Sequence, residues 1–389
     1  MSSKAIFLND TSGTSNPGCQ GTVSCLLDLL ASNHLSVISR LPVGYGYREF
    51  SHCNVAPPVP SLTERLRNRI ARTIPGLKHW SGGTATETFK RSLCPDRWTA
   101  AIDGFTRRVE PVWVEADHLI VNGEGTIHHD SIGARNLIGL CVAGKRLGMH
   151  VSILNCSIYE LSETLLAALR QSVDQIVVRE PISFRYLADQ NISATLAADC
   201  LFRASSRLEE SPDVLPGFVS DFLRHHGNVA VYTPGVLSGS GQVAKSAVTA
   251  DIRSLVADGY KVFYYVVEAE DEHLAAAASN AGAKILPLGS LNWTEVFTLL
   301  RSVSLVVSGR YHINIFAAIS GVPFIPMETN TAKMDGLLEL LGCVDRPVRD
   351  FNDQMGTLNL EHAIAAPADV IQRIAARFQA TPIQHEISA

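Results

Sequence analysis

The sequence predicts an α/β protein built from two doubly wound, Rossmann-like domains in tandem. Three observations predict it. At 389 residues the chain exceeds one compact core and suits two domains, each on the order of 200 residues. Short apolar or β-branched runs alternate with helix-period segments in two successive series. Between the series, Ala204 to Pro216 turns polar, with Ser-Ser, Glu-Glu and Ser-Pro-Asp, and reads as a linker.

In the first series, Ala5 to Asn9 is a strand, Gly21 to Ala31 a helix, Val37 to Leu41 a strand and Leu119 to Asn122 another. A helix near Ala134 to Leu147, a strand His150 to Asn155, a helix Ser162 to Ser172 and a strand Gln175 to Arg179 follow. Residues 42–100, rich in Pro, Gly and Ser, read as a long insertion. The second series runs Asn228 to Thr233, Val248 to Ala257, Lys261 to Val267, His273 to Ala281, Lys284 to Leu286, Trp293 to Arg301 and Leu305 to Val307. Helical spacing from Ile313 to Ile319 stops at Gly321 and Pro323 before the strand Phe324 to Met327. The expected boundaries are 1–205 for the first domain, on the acceptor side, and 217–350 for the second, on the donor side. Residues 351–389 contain a last helix, Ala368 to Phe378, that returns to pack on the first domain.

Charged residues make up 18% and apolar ones 46%, the composition of a globular chain. No apolar run is long enough to span a bilayer, and MSSKAIFLND lacks the pattern of a signal peptide, so the expected place is the cytoplasm. Eight cysteines without a C-x-x-C pair argue for buried thiols in a reducing compartment. A net charge of −5 gives no general affinity for nucleic acid. Residues 61–110 nevertheless hold ten Lys or Arg against five Asp or Glu, with Arg65, Arg67, Arg69 and Arg72 clustered. Either this is a solvated helix face, or it is a basic surface for anionic lipid or a lipid-diphosphate-linked glycan at the inner membrane.

The stretch Leu305 to Lys333 carries the densest chemistry. Arg310 and His312 follow a buried strand at its carboxyl end, the edge where open α/β sheets bind ligands. On extended backbone the two point to one side, offering a bidentate fork for a carboxylate or phosphate and a proton carrier. Arg179 closes another strand in the same way, either as a ligand group or as an ion pair with Glu180 or Asp199. LIVNGEGTIHHD reads as a strand entering a glycine-rich loop, with Asn122, Gly123 and Gly125 approaching a ligand and Glu124, His128 and Asp130 supplying acid, base or anchoring groups. Adjacent histidines rarely ligate one ion, so no metal is expected. NDTSGTSNPGCQGT, with Asn16 and Gly18, is a candidate phosphate or sugar loop but not a Walker A loop. Glu328 to Lys333 is either a ligand loop or a helix cap.

These blocks resemble the polysaccharide pyruvyl transferases. Ser308, Arg310 and His312 match the family's S-x-R-x-H strand end, Gly321 and Pro323 its turn, and Lys333 the Lys before a final apolar helix. Val178-Arg179-Glu180 is similar to the V-R-D-x-x-S element with Glu for Asp, and Ala198-Asp199-Cys200-Leu201-Phe202 to the Ala-Asp-x-x-Phe element. Cys19 stands where an Asp is expected after Asn16 and Gly18, and Glu124 interrupts a Gly-Gly. The resemblance implies a GT-B-like pair of domains with the site in the cleft. It also implies transfer of a pyruvyl group from phosphoenolpyruvate to a sugar of a glycan or lipid-linked glycan, without a cofactor. Arg179, Arg310, Ser308, Glu328 and Lys333 then bind the donor, and His312 or Glu124 protonates the enol.

Two other readings stay open. One is a GT-B glycosyltransferase using a CMP-linked ulosonic acid, with Glu124 and Asp199 as catalytic carboxylates. The other is a non-catalytic glycan-binding subunit.

Overall fold

The computed structural model describes residues 3–45, 93–204, 214–235, 245–345, 348–349 and 358–379. Most of the expected insertion, including Arg65, Arg67, Arg69 and Arg72, lies outside the described residues.

The amino-terminal half is a six-stranded parallel sheet in the order β2-β1-β3-β4-β5-β6. Its strands are β1 (Lys4–Asp10), β2 (Ser36–Pro42), β3 (His118–His128), β4 (His150–Tyr159), β5 (Gln175–Val178) and β6 (Thr195–Leu196). Around it lie α1 (Pro17–Ser32), α2 (Pro95–Thr106), α3 (Pro111–Val114), α4 (Ile132–Arg146), α5 (Glu163–Ser172) and α6 (Pro181–Asp189). The inner strands β1, β3, β4 and β5 are buried on both faces along most of their length, whereas the edge strands β2 and β6 are partly exposed. Helix starts follow their local chemistry. Asn16 caps α1 ahead of Pro17, and Glu180 caps α6 ahead of Pro181.

One expectation fails here. The glycine-rich segment after Asn122 is not a loop, because β3 continues to His128 and pairs with β4 through a register shift between Glu124 and Ile127. Gly123 is needed for that pairing, since a Cβ there would stand 2.3 Å from the Cβ of Cys156. The left-handed residue is Glu124, at φ 40°, and not the flanking glycines. Trp98 packs into the core from α2 and donates Nε1–H to the Arg135 carbonyl at 3.1 Å.

The carboxyl-terminal half is a five-stranded parallel sheet in the order β11-β10-β7-β8-β9. It comprises β7 (Val229–Thr233), β8 (Lys261–Tyr265), β9 (Lys284–Leu286), β10 (Leu305–Ser308) and β11 (Phe324–Pro326). Its helices are α7 (Gly217–His225), α8 (Lys245–Ala257), α9 (Glu272–Asn280), α10 (Trp293–Arg301), α11 (Tyr311–Ile319) and α12 (Lys333–Leu340). The last helix, α13 (Ala368–Gln379), packs on the 3-10 turn Cys200–Arg203 and on α11.

Strand order reverses at β1/β3 in the first sheet and at β7/β10 in the second, the crevices where such sheets take ligands. At the second, Gly235 and Gly309 hold their backbones together so closely that a Cβ at Gly309 would meet the Pro234 oxygen at 2.4 Å. The halves share one apolar core: Val23, Leu26, Leu201 and Phe202 belong to the same buried cluster as Phe297, Leu300, Tyr311 and Phe316.

Candidate functional site between the two sheets

The site forms where the loop after β1 and the end of β3 meet the start of α11. Leaving β1, the chain places Thr11 so that its hydroxyl donates to Glu124 Oε1 at 2.7 Å. Asn122 Nδ2 reaches the same oxygen at 2.9 Å, and Cys19 Sγ lies 3.3 Å from Glu124 Oε2. Cys19 is thus a weak donor to this carboxylate. Burial, followed by the charge of Glu124, pushes its thiol well above the usual range.

Arg179, just past β5, is fully buried and is held through Nε and Nη1. Its Nε donates to Ser157 Oγ at 2.9 Å, and its Nη1 donates to Asp199 Oδ2 at 3.0 Å. The guanidinium carbon lies 4.4 Å over the ring of Tyr311. Nη1 also stands 3.3 Å from His312 Nε2. The same imidazole nitrogen is 3.4 Å from Asp199 Oδ2 and 3.5 Å from Thr22 Oγ1. Asp199 has no exposed surface and caps the following turn through the Leu201 N–H at 3.0 Å. Burial raises its carboxyl, but the charge and hydrogen bond of His312, with Arg179 and Leu201, outweigh that and leave it at about 2. A carboxylate so enclosed acts through His312 and Arg179, which corrects its expected role as a catalytic group.

Arg310 and His312 both follow the carboxyl end of β10, as expected, but they do not share one side of an extended backbone. Arg310 is the N-cap residue of α11 and His312 lies in its first turn, so their side chains diverge. Arg310 Nη2 donates to buried Asp271 at 2.8 Å and to Glu270 at 3.3 Å. Its fork is therefore committed to carboxylates, although its buried Nε has no partner among the described residues. The Ser308 hydroxyl accepts from the Arg310 N–H at 2.9 Å and donates to the Arg310 carbonyl at 3.3 Å, which engages it in the turn after β10. Glu328 is half-buried, and its N–H bonds the Arg349 carbonyl at 2.9 Å.

Lys333 opens α12 and points back under β3. Its Nζ donates to Asn330 Oδ1 at 3.1 Å. A Cβ on Gly125 would lie 3.3 Å from Arg179 Nη2 and 3.7 Å from Lys333 Nζ, so the missing side chain leaves a place where both cations meet. His128 is nearby; burial, His129 and then Lys333 depress it to about 4. Across the cleft, Asn16 Nδ2 donates to Glu268 Oε1 at 2.7 Å while its Oδ1 accepts from Gly18 N–H at 2.9 Å. Gly18 itself lies against the His312 ring.

The structure thus gathers Arg179, His312, Lys333, Gly125, Glu124, Asn122, Gly18 and Asp199, and leaves Ser308 and Gly123 to local structure. Sequence reasoning missed Ser157, Tyr311 and Asp271, and placed Thr22 and Asn330 only within candidate loops without a role of their own. Of these only Tyr311, inside Arg-Tyr-His, and the acidic run Glu268 to Asp271 carry a visible signal.

A family model described as polysaccharide pyruvyl transferase matches residues 24–331. Comparison with curated proteins by sequence finds no match. Among solved structures, UDP-GlcNAc 2-epimerase from Methanocaldococcus jannaschii, in complex with UDP-GlcNAc and UDP, superposes with a TM-score of 0.53 at 11% identity, covering 97% of this chain and 100% of its own. The Neisseria meningitidis UDP-GlcNAc 2-epimerase bound to UDP-GlcNAc gives 0.51 at 9% identity, covering 98% and 100%. These neighbours share the GT-B-like pair of Rossmann domains.

Proposed function

The chain belongs to the polysaccharide pyruvyl transferase family, and from that membership we propose that it transfers a pyruvyl group from phosphoenolpyruvate to a sugar of a glycan or lipid-linked glycan. It is a transferase, and what is proposed is its donor and its chemistry. The observation that carries the reading is the convergence of Arg179 Nη2 and Lys333 Nζ on the bare Gly125 position, with His312 Nε2 3.3 Å from the same guanidinium. Phosphoenolpyruvate carries a carboxylate and a phosphate, and low-dielectric cations preset for such charge supply the electrostatic part of catalysis. Arg310 adds positive field, and its longer contact to Glu270, which is 41% exposed, is the one an incoming anion replaces.

The reaction then balances as follows. His312 gives a proton to the methylene carbon, and the π electrons of the enol form that C–H bond. The electrophilic central carbon takes the oxygen of a sugar hydroxyl, whose proton goes to Glu124. The bond from that carbon to the phosphate oxygen breaks and phosphate leaves with the bonding pair; a second sugar hydroxyl then adds to the same carbon and closes the cyclic ketal, its proton returning to His312. Asp199 and Thr22 orient the imidazole.

Thermal shift with phosphoenolpyruvate, CMP, UDP and buffer alone tests the donor. A rise in melting temperature with phosphoenolpyruvate that shrinks in Arg179→Lys supports the proposal. A rise with CMP or UDP alone moves the assignment to a nucleotide-sugar glycosyltransferase. In that reading Asp199 is no nucleophile, because an enclosed carboxylate cannot reach an anomeric carbon.

A further inference from the structure

Lys333 stands apart from the other cations of the site. Arg179 is matched by Asp199, and Arg310 by Asp271 and Glu270. Lys333 Nζ has a hydrogen bond to the neutral amide of Asn330, and it is 8% exposed. The charged groups around it come from every packed element. Arg179 follows β5, Arg310 caps α11, Glu124 and His128 lie on β3, and Cys19 lies on α1. Two guanidinium groups thus act on an ammonium that has no carboxylate within salt-bridge distance among the described residues. A third full charge there is costly until a negative ligand arrives.

We propose that Lys333 is a proton-coupled anion ligand, its amine neutral in the donor-free enzyme and taking up a proton as the donor's carboxylate or phosphate seats beside Arg179 at Gly125. This rests on the donor reading above and specifies how that site accepts its charge. Burial first, and the fields of Arg179 and Arg310 next, bring the Lys333 amine down to about 7, with Cys19 and Glu124 opposing. His128, held near 4, stays uncharged in the same range and does not compete for the proton. The device gives selectivity as well as affinity. A neutral ligand of the same shape gains no ammonium partner, whereas an anion creates its own.

The test is isothermal titration of phosphoenolpyruvate into the full chain at pH 8, in two buffers of different ionisation enthalpy. At that pH the phosphate, with a second ionisation near about 6, is already fully charged and releases nothing. The expected result for the wild type is a buffer-dependent heat equal to uptake of up to one proton, with Kd rising up to about tenfold per pH unit above 7. Lys333→Arg, with a fixed charge, binds with buffer-independent heat and a flat pH profile. Lys333→Met, should the larger arginine disturb packing, binds more weakly, also without proton uptake. Wild-type binding with buffer-independent heat overturns this inference and leaves the donor reading intact. Uptake that survives in both variants also overturns it and assigns the proton to His312 or His128. Absence of any heat in the wild type overturns the donor reading, and the inference with it.

Discussion

Gly18 and His312 meet across the two halves with no room for another atom, since a Cβ at position 18 would stand 2.3 Å from the His312 Cβ and 2.5 Å from its Nδ1. The glycine sits in the first turn of α1, so the amino-terminal half seats the imidazole that the carboxyl-terminal half carries. Gly18→Ala is expected to push the ring off Asp199 and Arg179. A displacement of about 1 Å can cost on the order of 100-fold in rate. The expected outcome is such a loss in kcat, with the phosphoenolpyruvate thermal shift retained. Wild-type turnover in this variant would show that the ring position is not limiting.

His312→Asn keeps a polar group of similar size but cannot carry a proton at neutral pH. Loss of a positioned acid typically costs about 100- to 10,000-fold. Steady-state phosphate release should fall by that order, while donor binding changes little because Arg179 and Lys333 remain. A large rise in KM with unchanged kcat would instead make His312 a binding group.

Much of this architecture is legible in the sequence because buried parallel strands leave a pattern that needs no partner to read. Leu305 to Ser308 and Val229 to Thr233 are such runs, and both are strands with all residues buried. The site is legible only in part. Arg310 and His312 stand two apart, which suggests one face on a strand, but α11 begins between them and separates their directions. Nothing local to Arg310 announces Asp271, which lies on another element 39 residues away. The role of Gly18 is equally hidden, because a glycine's function is set by what approaches it. The segment after Asn122 fails for the opposite reason: its glycines mimic a loop, while the strand persists through pairing with β4.

The Asp199 pair makes an acid-stability prediction with a definite sign. Its carboxyl is held near 2 in the folded state and is ordinary, near 3.9, when unfolded. The unfolded chain therefore binds the proton first as pH falls. The stabilisation, on the order of 2.6 kcal/mol, is complete above pH 5 and is lost as pH drops toward 2. Asp199→Asn removes that contribution and leaves Arg179 buried without its counter-charge, a change that costs roughly 3–5 kcal/mol at neutral pH. Melting temperatures of wild type and variant should differ most near neutrality and converge between pH 4 and pH 2. A constant gap over that range would show that Asp199 is not the titrating group.

The shared apolar core predicts how the halves come apart. On the surface, Arg185 on α6 forms a bidentate pair with Glu339 on α12 at 2.6 and 2.8 Å, but Arg185 is 55% exposed. Such a bridge contributes up to about 1 kcal/mol. Inside, Leu201 has no exposed surface and belongs to the cluster that joins both sheets; a Cβ on Gly21 of α1 would stand 2.7 Å from its side chain. Leu201→Ala is expected to cost about 2–5 kcal/mol, against a shift near the detection limit for Arg185→Ala. Because the core is continuous, calorimetry of the wild type should show one transition involving both halves. Two resolved transitions, or a larger loss in Arg185→Ala than in Leu201→Ala, would place the coupling at the surface instead.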